Sequence, residues 1–253
     1  MKLTFAGHST VICETPLSVV ISDPLITNRV MGLKLKVPVC IPSDIPERVS
    51  VVLISHAHND HLHIPSLKKI NSEALVITPP ECSKYIRKAG LRNVVELNWY
   101  ESHSSGDVEI TSVPVNHVKG RYFSCGKSGV AGYIISSGGK NVMLSGDIDV
   151  GPVKYIEEIS QKFSLDVIFL PIGGMKSVEW YEKRNNKKGV HIAPGQAYEI
   201  FKKSGSKILV PLHWGSLSVS SENFDAAPKR LLEIAADERV KILYQGEVME
   251  LEH

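Results

Sequence analysis

Several things are scarce in this chain, and each shortage removes a class of explanation. There are four cysteines in 253 residues, Cys13, Cys40, Cys82 and Cys125, and no two form a C-x-x-C pair. That spacing fits neither a thiolate zinc site nor a disulfide framework, so each cysteine reads as a small buried hydrophobe. Neither sign of charge dominates: 29 Lys and Arg face 27 Asp and Glu, for a net charge of +2. Nucleic-acid binders usually carry a strongly basic patch or stripe, so no nucleic-acid partner is expected. No apolar run approaches the ~20 residues of a membrane span. Met1-Lys2 leads into Leu3-Thr4-Phe5 without the apolar core of a signal peptide. The expectation is a cytoplasmic chain without a transmembrane segment. Internal repeats and low-complexity tracts are also missing. An apolar content of 43% and a charged content of 22% are ordinary for a globular chain, and the length suits a single domain over 1–253.

Histidine is scarce too, and this makes its distribution informative. Three of the ten histidines fall in one hexapeptide, His56-Ala57-His58-Asn59-Asp60-His61. Imidazoles and a carboxylate at this density form a donor set for first-row metals. The preceding Val51-Val52-Leu53-Ile54 is short, apolar and β-branched, as in a buried strand. The hexapeptide therefore starts where a strand ends, on the kind of rigid support where sites are built. In an extended or turning segment, residues i and i+2 point the same way. His56 and His58 can share one ion, and Asp60 and His61 can reach a second as the chain turns. One ion would leave donors over; two use them all. Two divalent ions about 3.5–4 Å apart clamp a bridging hydroxide and bring its pKa toward neutrality.

Short apolar runs recur along the chain and read as strands: 3–6, 10–13, 18–22, 50–55, 74–78, 93–97, 108–113, 130–136, 141–145, 166–170, 207–212, 241–244 and 247–251. Helical patterns are fewer. Pro80 to Ala89 and Pro194 to Ser204 each begin with Pro and stop before Gly. Pro152 to Phe163 places Val153, Ile156 and Ile159 at helical spacing, and Asp225 can cap a helix running to about Asp237. Strands in succession with helices later point to an α/β (α+β) class: two sheets covered by helices. Residues 26–46 and 173–190 resist assignment, and long loops of that kind are usually functional. Both mix apolar with basic residues, and we expect them to wall a cleft for an anionic substrate with an apolar part. A packing or subunit contact is the bland alternative for 26–46. The basic run Lys183 to Lys188 reads as a solvated loop.

A bridged two-metal site takes about seven ligands, and the hexapeptide offers four. Three further residues also end apolar runs: His117 after 110–115, Asp147 after 142–146 and His213 after 208–212. In this order, H-x-H-x-D-H, His, Gly-Asp, His, the chain resembles the metallo-β-lactamase superfamily. Gly7-His8-Ser9-Thr10-Val11, Ser22-Asp23-Pro24, Val52 to His56 and Pro211-Leu212-His213-Trp214-Gly215 resemble the branch containing N-acylphosphatidylethanolamine-hydrolysing phospholipase D and its bacterial relatives. His191-Ile192-Ala193-Pro194 and Arg121 do so as well; ascorbate-6-phosphate lactonases are more distant cousins.

The resemblance implies a four-layer αβ/βα sandwich with two metal ions at one edge: zinc, with manganese or iron as alternatives. It implies that His56, His58 and His117 hold one ion, that Asp60, His61 and His213 hold the other, and that Asp147 bridges them. Asp60 would also orient the bridging hydroxide. His191 becomes a candidate substrate-binding residue or general acid, and Lys119 and Arg121 candidates to meet a phosphate or carboxylate. Asp23 would accept from the N–H of a ligand histidine. His8 reads as structural, and His63 and His103 as surface residues.

The expected activity is metal-dependent hydrolysis of an ester-type bond, whether phosphodiester, lactone or acyl ester, in a small or lipid-like and anionic substrate. A di-iron redox protein, a nuclease on the same fold and a non-catalytic binding module are the alternatives. A homo-oligomer is compatible with the sequence.

Overall fold

The computed structural model describes residues 1–117, 129–173, 191–216 and 223–252. Its first half supplies β1 (Lys2–Gly7), β2 (Thr10–Glu14), β3 (Val19–Ser22), the small hairpin β4 (Arg29–Val30) and β5 (Leu33–Lys34), β6 (Val51–Leu53), β7 (Leu75–Thr78) and β8 (Val94–Glu96). The second half supplies β9 (Ser102–Ser105), β10 (Val108–Val113), β11 (Gly132–Ser137), β12 (Lys140–Leu144), β13 (Val167–Pro171), β14 (Ile208–Leu212) and β15 (Glu247–Glu250). They form a seven-stranded sheet, β15-β1-β2-β3-β6-β7-β8, and a six-stranded sheet, β14-β13-β12-β11-β10-β9. Both are mixed: antiparallel through β1-β2-β3 and β9 to β12, parallel through β3-β6-β7-β8 and β12-β13-β14.

The continuous apolar runs have a simple cause. Alternate residues on a strand face opposite ways, and both faces of the first sheet are covered. Phe5, Val11, Val20, Leu53 and Ile77 join one buried cluster with the second sheet. Ile12, Ile21, Val52, Ile54 and Val76 join another with the one-turn helices α1 (Ile45–Arg48), α2 (Ile64–Leu67) and α3 (Ser83–Ile86). The longer helices α4 (Lys154–Lys162), α5 (Pro194–Ser204) and α6 (Ala226–Ala235) place Ile156, Ile159, Phe201 and Leu231 in the first cluster. Two mixed sheets flanked by helices is the expected fold class.

Some elements differ from expectation. The helix expected from Pro80 to Ala89 shrinks to α3 and one 3-10 turn, Arg87–Ala89. The Pro80 carbonyl accepts instead from the Gly129 amide, at 2.7 Å, so it starts no helical ladder. Residues 241–244 form no strand. A single parallel bridge, Leu209 with Val240, touches the sheet before the chain turns into β15. Asp225 precedes α6 without capping it, because its carboxylate pairs with Lys229 at 2.7 Å. The polar strand β9 and the two-residue strands β4 and β5 carry no apolar run, which is why they escaped the sequence reading. Cys13 and Cys82 are buried as expected, but Cys40 is exposed, with Sγ against the Gly246 backbone. Cys125 lies outside the described residues.

Candidate metal centre

The parallel strands of both sheets deliver their carboxyl ends to one edge. Beyond β6, Ser55 O accepts from the Ala131 amide at 2.9 Å, and Ile54 O accepts from the Tyr133 hydroxyl at 2.9 Å. The hexapeptide therefore begins where the two sheets are stitched together. Main-chain bonds from His61 N and Leu62 N to His58 O, at 3.1 and 2.8 Å, then turn the chain and bring Asp60 and His61 round. His117 follows β10, Asp147 follows β12 and His213 follows β14. Two glycines make room. Gly146 has φ of +62°, and a Cβ there would sit 2.5 Å from Ser55 Cβ. A Cβ on Gly173 would collide with the His213 carbonyl.

The seven residues singled out by sequence converge, in two overlapping groups. In the first, His58 Nδ1 lies 2.8 Å from His56 Nε2 and 3.2 Å from His117 Nε2. Asp147 Oδ2 lies 3.8 and 3.7 Å from His56 Nε2 and His117 Nε2. In the second, Asp60 Oδ2 lies 3.8 Å from His61 Nε2 and 3.6 Å from His213 Nε2. Asp147 reaches this group through Oδ2, 3.2 Å from His61 Nε2, and Oδ1, 3.4 Å from His213 Nε2. Donors about 2.0–2.2 Å from a tetrahedral ion stand ~3.4 Å apart, so these spacings suit an enclosed cation. A second observation agrees. His61 Nε2, His213 Nε2 and Asp147 Oδ1 are buried with no hydrogen-bond partner. Buried polar atoms are rarely left so without a reason such as an ion. The residues present fit a divalent metal at each group.

Outer partners orient the donors. Asp23 Oδ2 accepts from His61 Nδ1 at 2.7 Å and from Ser55 Oγ at 2.6 Å, while its Oδ1 accepts from Ser55 N at 2.8 Å. This is the arrangement expected of Asp23, and it directs the other ring nitrogen of His61 into the site. Asp149 stands 3.1 Å from His117 Nδ1 and accepts from the His191 amide at 2.9 Å. His8, expected to be structural, brings Nε2 to 3.1 Å from Asp60 Oδ2. His191 places Nδ1 3.5 Å from Asp147 Oδ2 with its side chain 24% exposed, at the open side of the cluster. His63 is buried, not a surface residue; its Nδ1 meets Ser66 Oγ at 2.7 Å. Lys119, Arg121, the 183–188 run and nearly all of the 173–190 loop lie outside the described residues. Sequence reasoning missed Asp149 and the reach of His8. The rule that a ligand histidine needs a second acceptor could have flagged Asp149, two residues past Asp147.

The electrostatics follow from burial and crowding. Burial, reinforced by neighbouring imidazoles, pushes His56 well below the ordinary histidine value and His58 down to about 4, so both rings present lone pairs. Burial alone would raise Asp147 and Asp60, but facing imidazoles outweigh it and hold both carboxyls well below their usual range. Burial would lower His61 and His213, yet Asp147 and Asp60 overcome it and raise both. In the second group, carboxylates and imidazoles thus favour each other's charged forms.

The residues 26–46 segment borders this centre. Asn59 Nδ2 meets Met31 Sδ at 3.5 Å, and the Lys36 amide donates to Ser216 O at 2.8 Å. Val30 and Leu35 pack with Leu25 in a small core of their own, while Met31 and Leu33 stay 63% exposed.

Comparison with known proteins places these features. A family model described as "Beta-lactamase superfamily domain" matches residues 19–214. An uncharacterised protein of Mycobacterium tuberculosis is 26% identical across 96% of this chain, which spans 66% of that relative's length. A protein of Pelotomaculum thermopropionicum described as a metal-dependent hydrolase is 28% identical over 99% of this chain and its own full length (100%). The mitochondrial N-acyl-phosphatidylethanolamine-hydrolyzing phospholipase D of Saccharomyces cerevisiae is 28% identical over 86% of this chain, which covers 48% of it. Among solved structures, a metallo hydrolase from Ignicoccus hospitalis matches with a TM-score of 0.72 and 21% identity, covering 99% of both chains. CmlA, a diiron beta-hydroxylase from Streptomyces venezuelae, matches with a TM-score of 0.77 and 19% identity over 99% of this chain and 54% of its own. With the model covering most of its length, the chain belongs to the beta-lactamase superfamily domain family.

Proposed function

We propose that this chain is a metal-dependent hydrolase that cleaves an ester-type bond in a small or amphipathic, anionic substrate. The observation that carries the reading is two neighbouring donor groups, His56-His58-His117-Asp147 and His8-Asp60-His61-His213, with Asp147 also 3.2 Å from His61 Nε2 and 3.4 Å from His213 Nε2, both of them buried and unpartnered. His56, His58 and His117 would hold one ion and Asp60, His61 and His213 the other, with Asp147 between them. Zinc suits imidazole-rich sites with carboxylates, and manganese or iron would also be accepted. When bound, such ions supply Lewis acidity and ease deprotonation of water near neutral pH.

The chain's own residues supply the rest. Asp60 turns a carboxylate edge into the site, where it would accept a hydrogen bond from an approaching water and keep that water aligned. His191, on the open side, is placed to donate a proton to the departing oxygen or to bind the substrate. Lys119 and Arg121, two and four residues past His117, would meet the anionic group. The β4–β5 hairpin offers exposed Met31 and Leu33 beside Asn59, with Arg29 and Lys34 on the same two strands. That mixture suits a substrate with an apolar part and a negative charge. The phospholipase relative supports an ester-type bond by analogy.

The reading is tested by reconstituting the protein with zinc and assaying phosphodiesters, lactones and acyl esters. Asp60→Ala should remove turnover on whichever substrate is found, while an ion remains on His56, His58 and His117. Absence of metal uptake on reconstitution, or wild-type turnover by Asp60→Ala, would sink it. Oxidation of substrate in place of hydrolysis, with iron loaded, would favour the redox chemistry of the CmlA relative.

A further inference from the structure

We propose that His8 is the positioning residue for the second donor group, holding Asp60 with its ring and His213 with its main chain. The inference rests on the metal reading above and adds a residue to it.

His8 sits in the turn between β1 and β2, buried, with φ of +55°. A non-glycine residue in the left-handed region is uncommon and persists where the surroundings over-determine it. Three contacts do so here. The His8 carbonyl accepts from the His213 amide at 2.7 Å. His8 Nε2 meets Asp60 Oδ2 at 3.1 Å. His8 Nδ1 meets Ser216 Oγ at 2.6 Å. The ring also packs on His213, with centroids 4.2 Å apart, and on His61 at 5.6 Å. One residue thus touches all three non-bridging members of the second group and none of those attributed to the first.

The proton positions follow from the partners. A carboxylate only accepts, so the bond to Asp60 places the proton on Nε2. Nδ1 then carries the lone pair, and the Ser216 hydroxyl donates to it. The ring is buried, which favours its neutral form and so a single tautomer. Ser216 is itself buried, and its carbonyl is held by the Lys36 amide at 2.8 Å. The serine fixes the tautomer, the tautomer fixes the donor, and the donor fixes the orientation of the carboxylate.

His8 stands with Asp60, His61 and His213 in one group close enough to hold an ion, and hydrogen bonding distinguishes it from the two histidines beside it. His61 Nε2 and His213 Nε2 lack hydrogen-bond partners. Both nitrogens of His8 have one. Within this group His8 is assigned to bracing, because both of its ring nitrogens are already engaged.

The test is zinc affinity at each position in the full chain, by competition with a chromophoric chelator, with the cobalt-substituted absorption spectrum as a second readout. His8→Asn tolerates the left-handed backbone but is too short to reach Asp60. His8→Gln carries an amide N–H at about the reach of Nε2. His8→Asn should weaken the second zinc about 10–100-fold and leave the first unchanged, a usual effect of removing an outer partner. His8→Gln should recover part of the loss, and Ser216→Ala should weaken the second zinc less than His8→Asn does. Equal weakening of both zincs, an unchanged second zinc, or no difference between Asn and Gln would overturn the proposal. So would a cobalt spectrum showing one nitrogen ligand fewer in His8→Asn, which would make His8 a ligand. If the unaltered protein takes up no metal, the metal reading itself falls; if it takes up two and His8→Asn changes neither, only this inference does.

Discussion

Among the described residues, His8, Asp23, His191 and His213 all adopt left-handed φ, between +38° and +67°, and all four surround one centre. Asp, Asn and His enter this region more readily than most side chains, yet at a cost. The cost is borne where compact turns must swing polar side chains inward from strand ends. Gly146 shows the same need in its sharpest form, since it lets the backbone pass Ser55 and aim Asp147 between the two groups. Gly146→Ala combines a left-handed alanine with a Cβ 2.5 Å from Ser55 Cβ. It should cost about 2–4 kcal/mol of stability, measured by urea denaturation of the metal-free protein; a loss within experimental error would show that the turn relaxes freely. The seven inward-facing donors were legible because their chemistry is unusual at strand ends. The role of His8 was not: its stretch carried a family resemblance, but a histidine in a turn shows no task until Asp60 is seen beside it.

At the scale of elements, the parallel triplet β12-β13-β14 must keep register for Asp147 and His213 to meet. Asp166, just before β13, ties the three together. Its Oδ2 accepts from the Asn141 amide at 2.9 Å, its Oδ1 pairs with Lys207 at 2.8 Å, and its carbonyl accepts from Ile208 N at 3.0 Å. Burial would raise its carboxyl, but the Lys207 ammonium and the Asn141 amide outweigh burial and lower it. A depressed folded-state value stabilises the fold above the ordinary carboxyl pKa near 3.8, and the benefit fades as pH falls through the folded-state value. Asp166→Asn should therefore lose about 1–2 kcal/mol near pH 7, and the gap to wild type should close below about pH 4. A gap that stays constant into acid would assign the loss to packing. Most strands were legible as apolar runs, and α5 was legible from Pro194 and Gly205. The 80–89 helix was misread because its first carbonyl is claimed by Gly129 across the sheets, a contact that local spacing cannot contain.

For the whole molecule, two sheets meet at the donor cluster, so filling it should stabilise the fold globally. A ligand at about a hundredfold its dissociation constant adds ~2.7 kcal/mol, worth about 5–10 °C in Tm for a chain of this size. Removing zinc by chelation should lower Tm by about that amount, and re-addition should restore it; an unchanged Tm would mean that the centre takes up no ion. The arrangement of this centre divides between sequence and structure along a physical line. Alternating and continuous apolar runs, Pro and Gly punctuation, and histidines crowded into 56–61 act over a few residues, so the chain by itself determined most of the strands, the fold class and the seven candidate donors. Interactions between residues far apart in the chain belong to tertiary structure. Only the folded molecule decided that Asp149 stands beside His117, that His63 is buried, and that His8, 52 residues from Asp60, closes onto it. Those distances are set by how the two sheets twist and pack, and no local pattern along the chain records them.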